Sequence, residues 1–234
     1  MKANKSNTII EDKRITILVG HYGSGKTELS INFVRYLKQK GKENVALIDL
    51  DVINPYFKSG EKKETLTNLG VKVVLPDYYL SSVDLPLISP LVKSIITDSG
   101  TSCVFDIGGD GAGAIVLGCF SDLLRLAGAH VQCFMVVNVM RERTRTENGI
   151  RSVLNQLTKS SHIEINGLIN NTNLSYMTDS DMIVNAQYIL DDLFDRTGIP
   201  TVLITGEASV LDMLPERMKP LCFTIERMMA PEWL

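Results

Sequence analysis

The chain has 234 residues, 44% of them hydrophobic and 22% charged, with a formal net charge of −3. That composition suits an α/β domain with a sizeable core, and the lack of any lysine and arginine block argues against a nucleic-acid surface. No apolar run reaches the length of a membrane span and the first 14 residues lack the apolar stretch of a signal peptide, so a cytoplasmic protein is expected.

Residues 1–13 read as a flexible lead-in and residues 14–234 as a single domain. A first strand over residues 14–19 runs into Gly20-His21-Tyr22-Gly23-Ser24-Gly25-Lys26-Thr27, which fits G-x-x-x-x-G-K-[ST] at every fixed position. The residue types follow from the chemistry of holding a polyphosphate. Gly20, Gly23 and Gly25 let main-chain N–H groups close on phosphate oxygens, and a helix opening at the loop turns its N-terminal dipole toward the anion. Lys26 is placed to reach the β- and γ-phosphates, and the Thr27 hydroxyl to bind Mg²⁺.

The helix is expected to continue through residue 39, with Leu29, Phe33, Tyr36 and Leu37 on one stripe and Ile31 and Val34 on a second flank. A short apolar strand over residues 44–48 ends in Asp49-Leu50-Asp51. Residues 52–60 form a loop, and a helix over residues 61–69 precedes a strand over residues 71–75. Three prolines keep the next stretch irregular until a helix at residues 91–97. The apolar strand at residues 101–105 then opens onto Asp106-Ile107-Gly108-Gly109. A helix at residues 114–127, a strand at 131–137 ending in Asn138, a helix at 142–158 and a strand at 165–169 follow. The last elements are a helix at residues 180–196, a strand at 201–204, a helical piece cut by Pro215 and Pro220, and an apolar tail expected to pack on the domain. Arg227 is the tail's only basic residue, so membrane contact is not expected.

Strands alternating with helices predict a three-layer, doubly wound, mostly parallel sheet, the architecture of a P-loop NTPase, whose ligands sit beyond the carboxyl ends of the strands. Those ends carry Asp49, Asp51, Asp106, Asn138, Asn170 and Asn171. Asp106, after an apolar run, fits a carboxylate that holds Mg²⁺ through water, and Gly109 closes a D-x-x-G loop able to sense a γ-phosphate. Asp49 and Asp51, two residues apart, share one face of an extended end, where they would serve Mg²⁺ and an attacking water. Spacing does not decide which does which. Cys103, Cys119, Cys133 and Cys222 are scattered among apolar runs and read as reduced thiols. Cys119 is the one candidate for bridging a metal cluster across a dimer.

In the order and separation of these motifs, nearly the whole chain resembles the SIMIBI class of P-loop NTPases, in particular the ParA/MinD and Mrp-like ATPases and the nitrogenase iron protein. Gly167-Leu168-Ile169-Asn170-Asn171 is similar to the class's strand-end segment whose asparagine reads adenine, and by that register the residue is Asn171. The resemblance implies ATP and Mg²⁺ as ligands, with Asp51 positioning the hydrolytic water and Asp49 supporting Mg²⁺. It further implies an ATP-bound homodimer facing nucleotide to nucleotide and a client protein on which the switch acts. The class's second lysine, just after the first glycine, is here His21, followed by Tyr22. Either a protonated His21 or one of Arg141, Arg143 and Arg145 would supply that cation; a loop residue and solvated arginines are the plainer readings. Two other functions fit a P-loop chain: a small-molecule kinase or ligase with an acceptor pocket in residues 52–90, and a SIMIBI GTPase metallochaperone. The second predicts an N-K-x-D motif for guanine, and none occurs.

Overall fold

The computed structural model describes residues 5–51, 63–75, 90–109 and 111–229. Aliphatic and β-branched runs form the strands β1 (Ile15–Val19), β2 (Val45–Leu50), β3 (Val71–Val74), β4 (Ser102–Ile107), β5 (Val131–Val137), β6 (Gly167–Asn170), β7 (Thr201–Gly206) and β8 (Cys222–Thr224). They pair in parallel in one sheet of order β3-β2-β4-β1-β5-β6-β7-β8. β1 and β2 are buried at every position, which is why both read as continuous apolar runs: helices cover both faces.

Alternation along each strand sorts side chains between the two faces. One face carries Leu18, Leu47, Val104 and Val136, and packs on Ile10 of α1 (Lys5–Asp12), on Leu29, Phe33 and Val34 of α2 (Lys26–Gln39), and on Leu66 of α3 (Lys63–Asn68). The other face carries Ile17, Ile48, Phe105 and Met135. It is covered by α4 (Pro90–Thr97), α5 (Gly111–Gly118), α6 (Ser121–Ala127), α7 (Glu147–Ser161) and α8 (Ser180–Thr197) through Ile95, Leu117, Leu124, Leu154 and Leu190. A short α9 (Ala208–Leu211) follows β7. The predicted three-layer, doubly wound fold is present.

Several local expectations change. Residues 5–12 are helical rather than a frayed lead-in. Ile10 is fully buried, and Gln132 donates to the Ile9 carbonyl and to Thr16 Oγ1, each at 2.9 Å. So polar a helix is marginal alone, and tertiary packing holds it. The helix expected over residues 114–127 is two, bent by 61° at the break. The helix expected from residue 142 starts with a 3₁₀ turn, and α7 opens only where Thr146 caps it by accepting from the Gly149 N–H (3.2 Å). The tail contains an unforeseen edge strand, β8, whose Phe223 meets Phe33 and Tyr36 edge-on at centroid distances of 5.3 and 5.6 Å. No single helix among the described residues is long and apolar enough to cross a membrane. The whole of the loop expected at residues 52–60, the irregular stretch over residues 76–89, and Trp233 lie outside the described residues.

Candidate functional site

β1 lies between β4 and β5, so the loop of residues 20–27 leaves the centre of the sheet and opens α2. At Gly20 an added Cβ would fall 2.4 Å from the Val136 carbonyl oxygen, so only glycine lets the loop start this close to β5. Gly25 has φ +88°, and a Cβ there would lie 2.3 Å from Asn171 Nδ2. Both demands exclude side chains. Within the loop the Ser24 N–H donates to the His21 carbonyl at 3.2 Å. The buried Lys26 turns its ammonium to the same carbonyl, also at 3.2 Å. The Ser24 hydroxyl is buried and finds no hydrogen-bond partner among the described residues, a polar group left for a ligand inside the loop. Thr27 is half-buried on the first turn of α2.

The three aspartates lie at the carboxyl ends of β2 and β4, the strands on one side of this loop. Asp49 and Asp106 are register partners on β2 and β4, and Asp106 also pairs with Leu18 of β1. They therefore share the sheet face that α2 covers. Exposures of 3%, 3% and 1% for Asp49, Asp51 and Asp106 put all three out of bulk water. Asp49 Oδ1 accepts the Asp51 N–H at 2.9 Å and so fixes the turn that ends β2 and aims Asp51. Such hard oxygens, with the Thr27 hydroxyl, suit Mg²⁺ shared with phosphates and water rather than an all-protein cage. No cluster of three or more His, Cys, Asp or Glu side chains able to cage a metal occurs among the described residues. The loop after β4 touches the P-loop directly: a Cβ on Gly109 would meet Tyr22 N and Cα at 2.5 and 2.6 Å.

Asn171 is buried just past β6, with both ends of its amide engaged. Nδ2 donates to the Ser24 carbonyl at 2.7 Å and Oδ1 accepts from Thr205 Oγ1 at 2.6 Å. It braces the P-loop against β7, a role its sequence position did not announce. Asn138 similarly joins the loops after β5 and β6: its Oδ1 accepts the Met140 and Asn173 N–H groups and its Nδ2 donates to the Asn173 carbonyl.

His21 is held below the usual imidazole value of 6.5, first by burial and then by the charges of Arg143 and Lys26. Of the three arginines, Arg141 does reach the loop, its Nε donating to the Gly23 carbonyl at 3.0 Å, and Arg143 acts on His21 through its charge. Burial pushes the Cys103 and Cys133 thiols up to about 12. Cys119 is exposed just beyond the end of α5 away from the P-loop.

Beyond the carboxyl ends of β6 and β7 a cavity of about 730 Å³ opens beside Gly23 and Gly25, bordered by Asn171, Tyr176, Glu207 and Arg227. A second cavity of about 550 Å³ lies at the opposite, amino ends of the strands and contains none of the predicted site residues. Sequence reasoning passed over Glu28, Thr205 and Glu207. Thr205 sits at a strand end and was open to the same rule that found Asn171; the other two carry no such signal.

Neither a protein-family model nor a curated protein sequence matches this chain. Solved structures do match in fold. FtsY from Mycoplasma mycoides superposes with a TM-score of 0.57 at 17% identity, covering 82% of this chain and 59% of its own. Chloroplast FtsY from Physcomitrella patens gives 0.54 at 16%, covering 81% and 57%. FlhF, in a complex with GTP and Mg²⁺, gives 0.52 at 14%, covering 85% and 67%. The chain thus spans less than three-fifths of both FtsY chains, and what it shares with all three is the P-loop NTPase fold.

Proposed function

We propose that this protein is a Mg²⁺-dependent nucleoside triphosphatase of the SIMIBI type that uses ATP to switch between states and acts on a client protein as a nucleotide-bound homodimer in the cytoplasm. The observation that carries the reading is the meeting of a glycine-shaped loop, a buried Lys26 and three buried carboxylates at the ends of β1, β2 and β4. Phosphoryl transfer asks little covalent chemistry of a protein; it asks that charge be neutralised and the nucleophile aimed. Lys26 and the loop N–H groups would neutralise the phosphates. Thr27, Asp49 and Asp106 would hold Mg²⁺, which supplies further charge neutralisation at the β- and γ-phosphates. Asp51, at the turn beside them, would orient the attacking water. Gly109, packed on His21 and Tyr22, lets the loop after β4 respond to a γ-phosphate.

ATP is favoured because Asn171-Thr172-Asn173-Leu174 puts leucine where a guanine-reading motif of N-K-x-D form needs a carboxylate. The second reading is GTP, favoured by Glu207: it borders the cavity, and its carboxylate, although one oxygen pairs with Arg227, is the kind of acceptor that guanine's N1–H and amino group require.

Phosphate release from the purified protein with Mg²⁺ and ATP, run beside GTP and beside Lys26→Ala, tests the proposal. Slow release that prefers ATP and disappears in the variant is expected. Hydrogen bonds to charged groups are worth about 1.5–3 kcal/mol, so the variant's nucleotide affinity should fall about 10- to 150-fold. Equal turnover by Lys26→Ala would overturn the P-loop assignment, and a preference for GTP would move the base reading to Glu207.

A further inference from the structure

After β8 the chain turns back along α2, and residues 225–229 are tied down by three separate elements. From α2, the Glu28 carboxylate accepts the main-chain N–H of Met228 and, at 3.0 Å, that of Met229. One turn on, Asn32 takes the Glu226 N–H on Oδ1 and gives Nδ2 to the Glu226 carbonyl, both at 2.9 Å, and Arg35 pairs with the Glu226 carboxylate at 2.6 Å. From the β7 end, the Gly206 carbonyl accepts the Ile225 N–H at 2.9 Å and Glu207 pairs with Arg227. From the loop after β6, Ser175 Oγ accepts from Arg227 at 3.1 Å. Ile225, Arg227 and Met229 face the 730 Å³ cavity beside the P-loop, and Glu28 borders it.

Glu28 follows Thr27 directly, so one helical turn carries both the phosphate-binding group and the anchor of the cavity's far wall. An anion there is favoured by the helix dipole, and two consecutive main-chain donors use both its oxygens. The wall offers two apolar side chains and a planar cation, surfaces that suit the face of a purine.

We infer that Glu28 is a positioning residue for nucleoside recognition: by gripping the N–H groups of Met228 and Met229 it holds residues 225–229 as the wall of the nucleoside cavity, and so sets nucleoside affinity while leaving phosphate binding to the P-loop. The inference rests on the nucleotide reading above. A residue that merely kept the tail folded would affect all ligands alike; a positioning residue separates the nucleoside from the phosphates.

Calorimetric titration of the parent protein, Glu28→Ala and Glu28→Gln with Mg-ATP and with inorganic tripolyphosphate makes that separation. Glu28→Ala is expected to lose about tenfold in ATP affinity, the effect of one or two hydrogen bonds, with tripolyphosphate affinity essentially unchanged. Glu28→Gln, which keeps one acceptor oxygen, recovers part of the loss. Hydrogen exchange on the unaltered protein gives a readout that does not depend on the variants folding: ATP should slow the Met228 and Met229 amides, and tripolyphosphate should not. Equal losses for both ligands, undiminished ATP affinity in a folded Glu28→Ala, or equal protection by both ligands would overturn the inference alone. A parent protein that binds neither ligand would overturn the nucleotide reading with it.

Discussion

Asp51 and Asn171 illustrate two kinds of site residue. Asp51 stands at a turn held by the Asp49 carboxylate, and in the proposal it aims a water rather than binding the phosphates. Asp51→Ala should therefore keep its ATP affinity while turnover falls about 100-fold or more, because orienting a proton acceptor lowers the barrier rather than the ground state. Single-turnover assays with a parallel binding titration check this; an equal loss of affinity would move Asp51 to the Mg²⁺ group. Asn171 is a brace first. Without its bonds to Ser24 and Thr205 the loop loses a support, so Asn171→Ala should weaken ATP and GTP binding together. Only an added loss of preference between them, measured in the same titrations, assigns a base contact to it. His21 yields a pH prediction with a definite sign. The folded protein resists its protonation, so the unfolded chain takes the proton first. The contribution to stability is present above the ordinary value of 6.5 and is lost as pH falls toward the lowered one. A bound triphosphate would offset the charges of Lys26 and Arg143, so ATP binding should take up a proton and tighten as pH falls below 6.5. His21→Asn should flatten that dependence, and calorimetry in buffers of different ionisation enthalpy reads the proton directly.

Strands and the P-loop were legible in the sequence for a physical reason: a parallel strand buried on both faces has to be apolar throughout, and a loop wrapping phosphate has to be glycine at fixed places. The elements that escaped depend on partners far along the chain. α1 offers only Ile9 and Ile10 as apolar residues, and β8 spans three residues soon after Pro220. The brace from Asn171 to Ser24 crosses 147 positions and the bond from Asn32 to Glu226 crosses 194; no local spacing encodes such contacts. Element boundaries shifted for the same cause, as with Asp106, which lies inside β4 because β2 and β1 continue to pair with it. If α1 belongs to the fold as its packing indicates, Ile10→Ala should cost about 2 kcal/mol or more, lowering the melting temperature by roughly 4–8 °C. An unchanged melting curve would detach α1 from the core.

Seen whole, the molecule gathers its glycine-rich loop, its carboxylates and its large cavity at the carboxyl edge of one parallel sheet, leaving Tyr22 of that loop 63% exposed there. A face-to-face homodimer would cover that edge, and light scattering should give twice the monomer mass with ATP and the monomer mass with ADP. A monomer in both states would confine the switch to a single chain. The bonds from α2 to residues 226–229 also bear on how the protein is made. Ribosomes add about 5–20 residues per second, so the roughly 200 residues between Gly25 and Arg227 separate phosphate loop and cavity wall by about 10–40 s of synthesis. The loop leans on Val136 and Asn171, so it is only late in that interval, after β6 has emerged, that a nascent chain could hold phosphate while lacking the wall inferred above to hold a base.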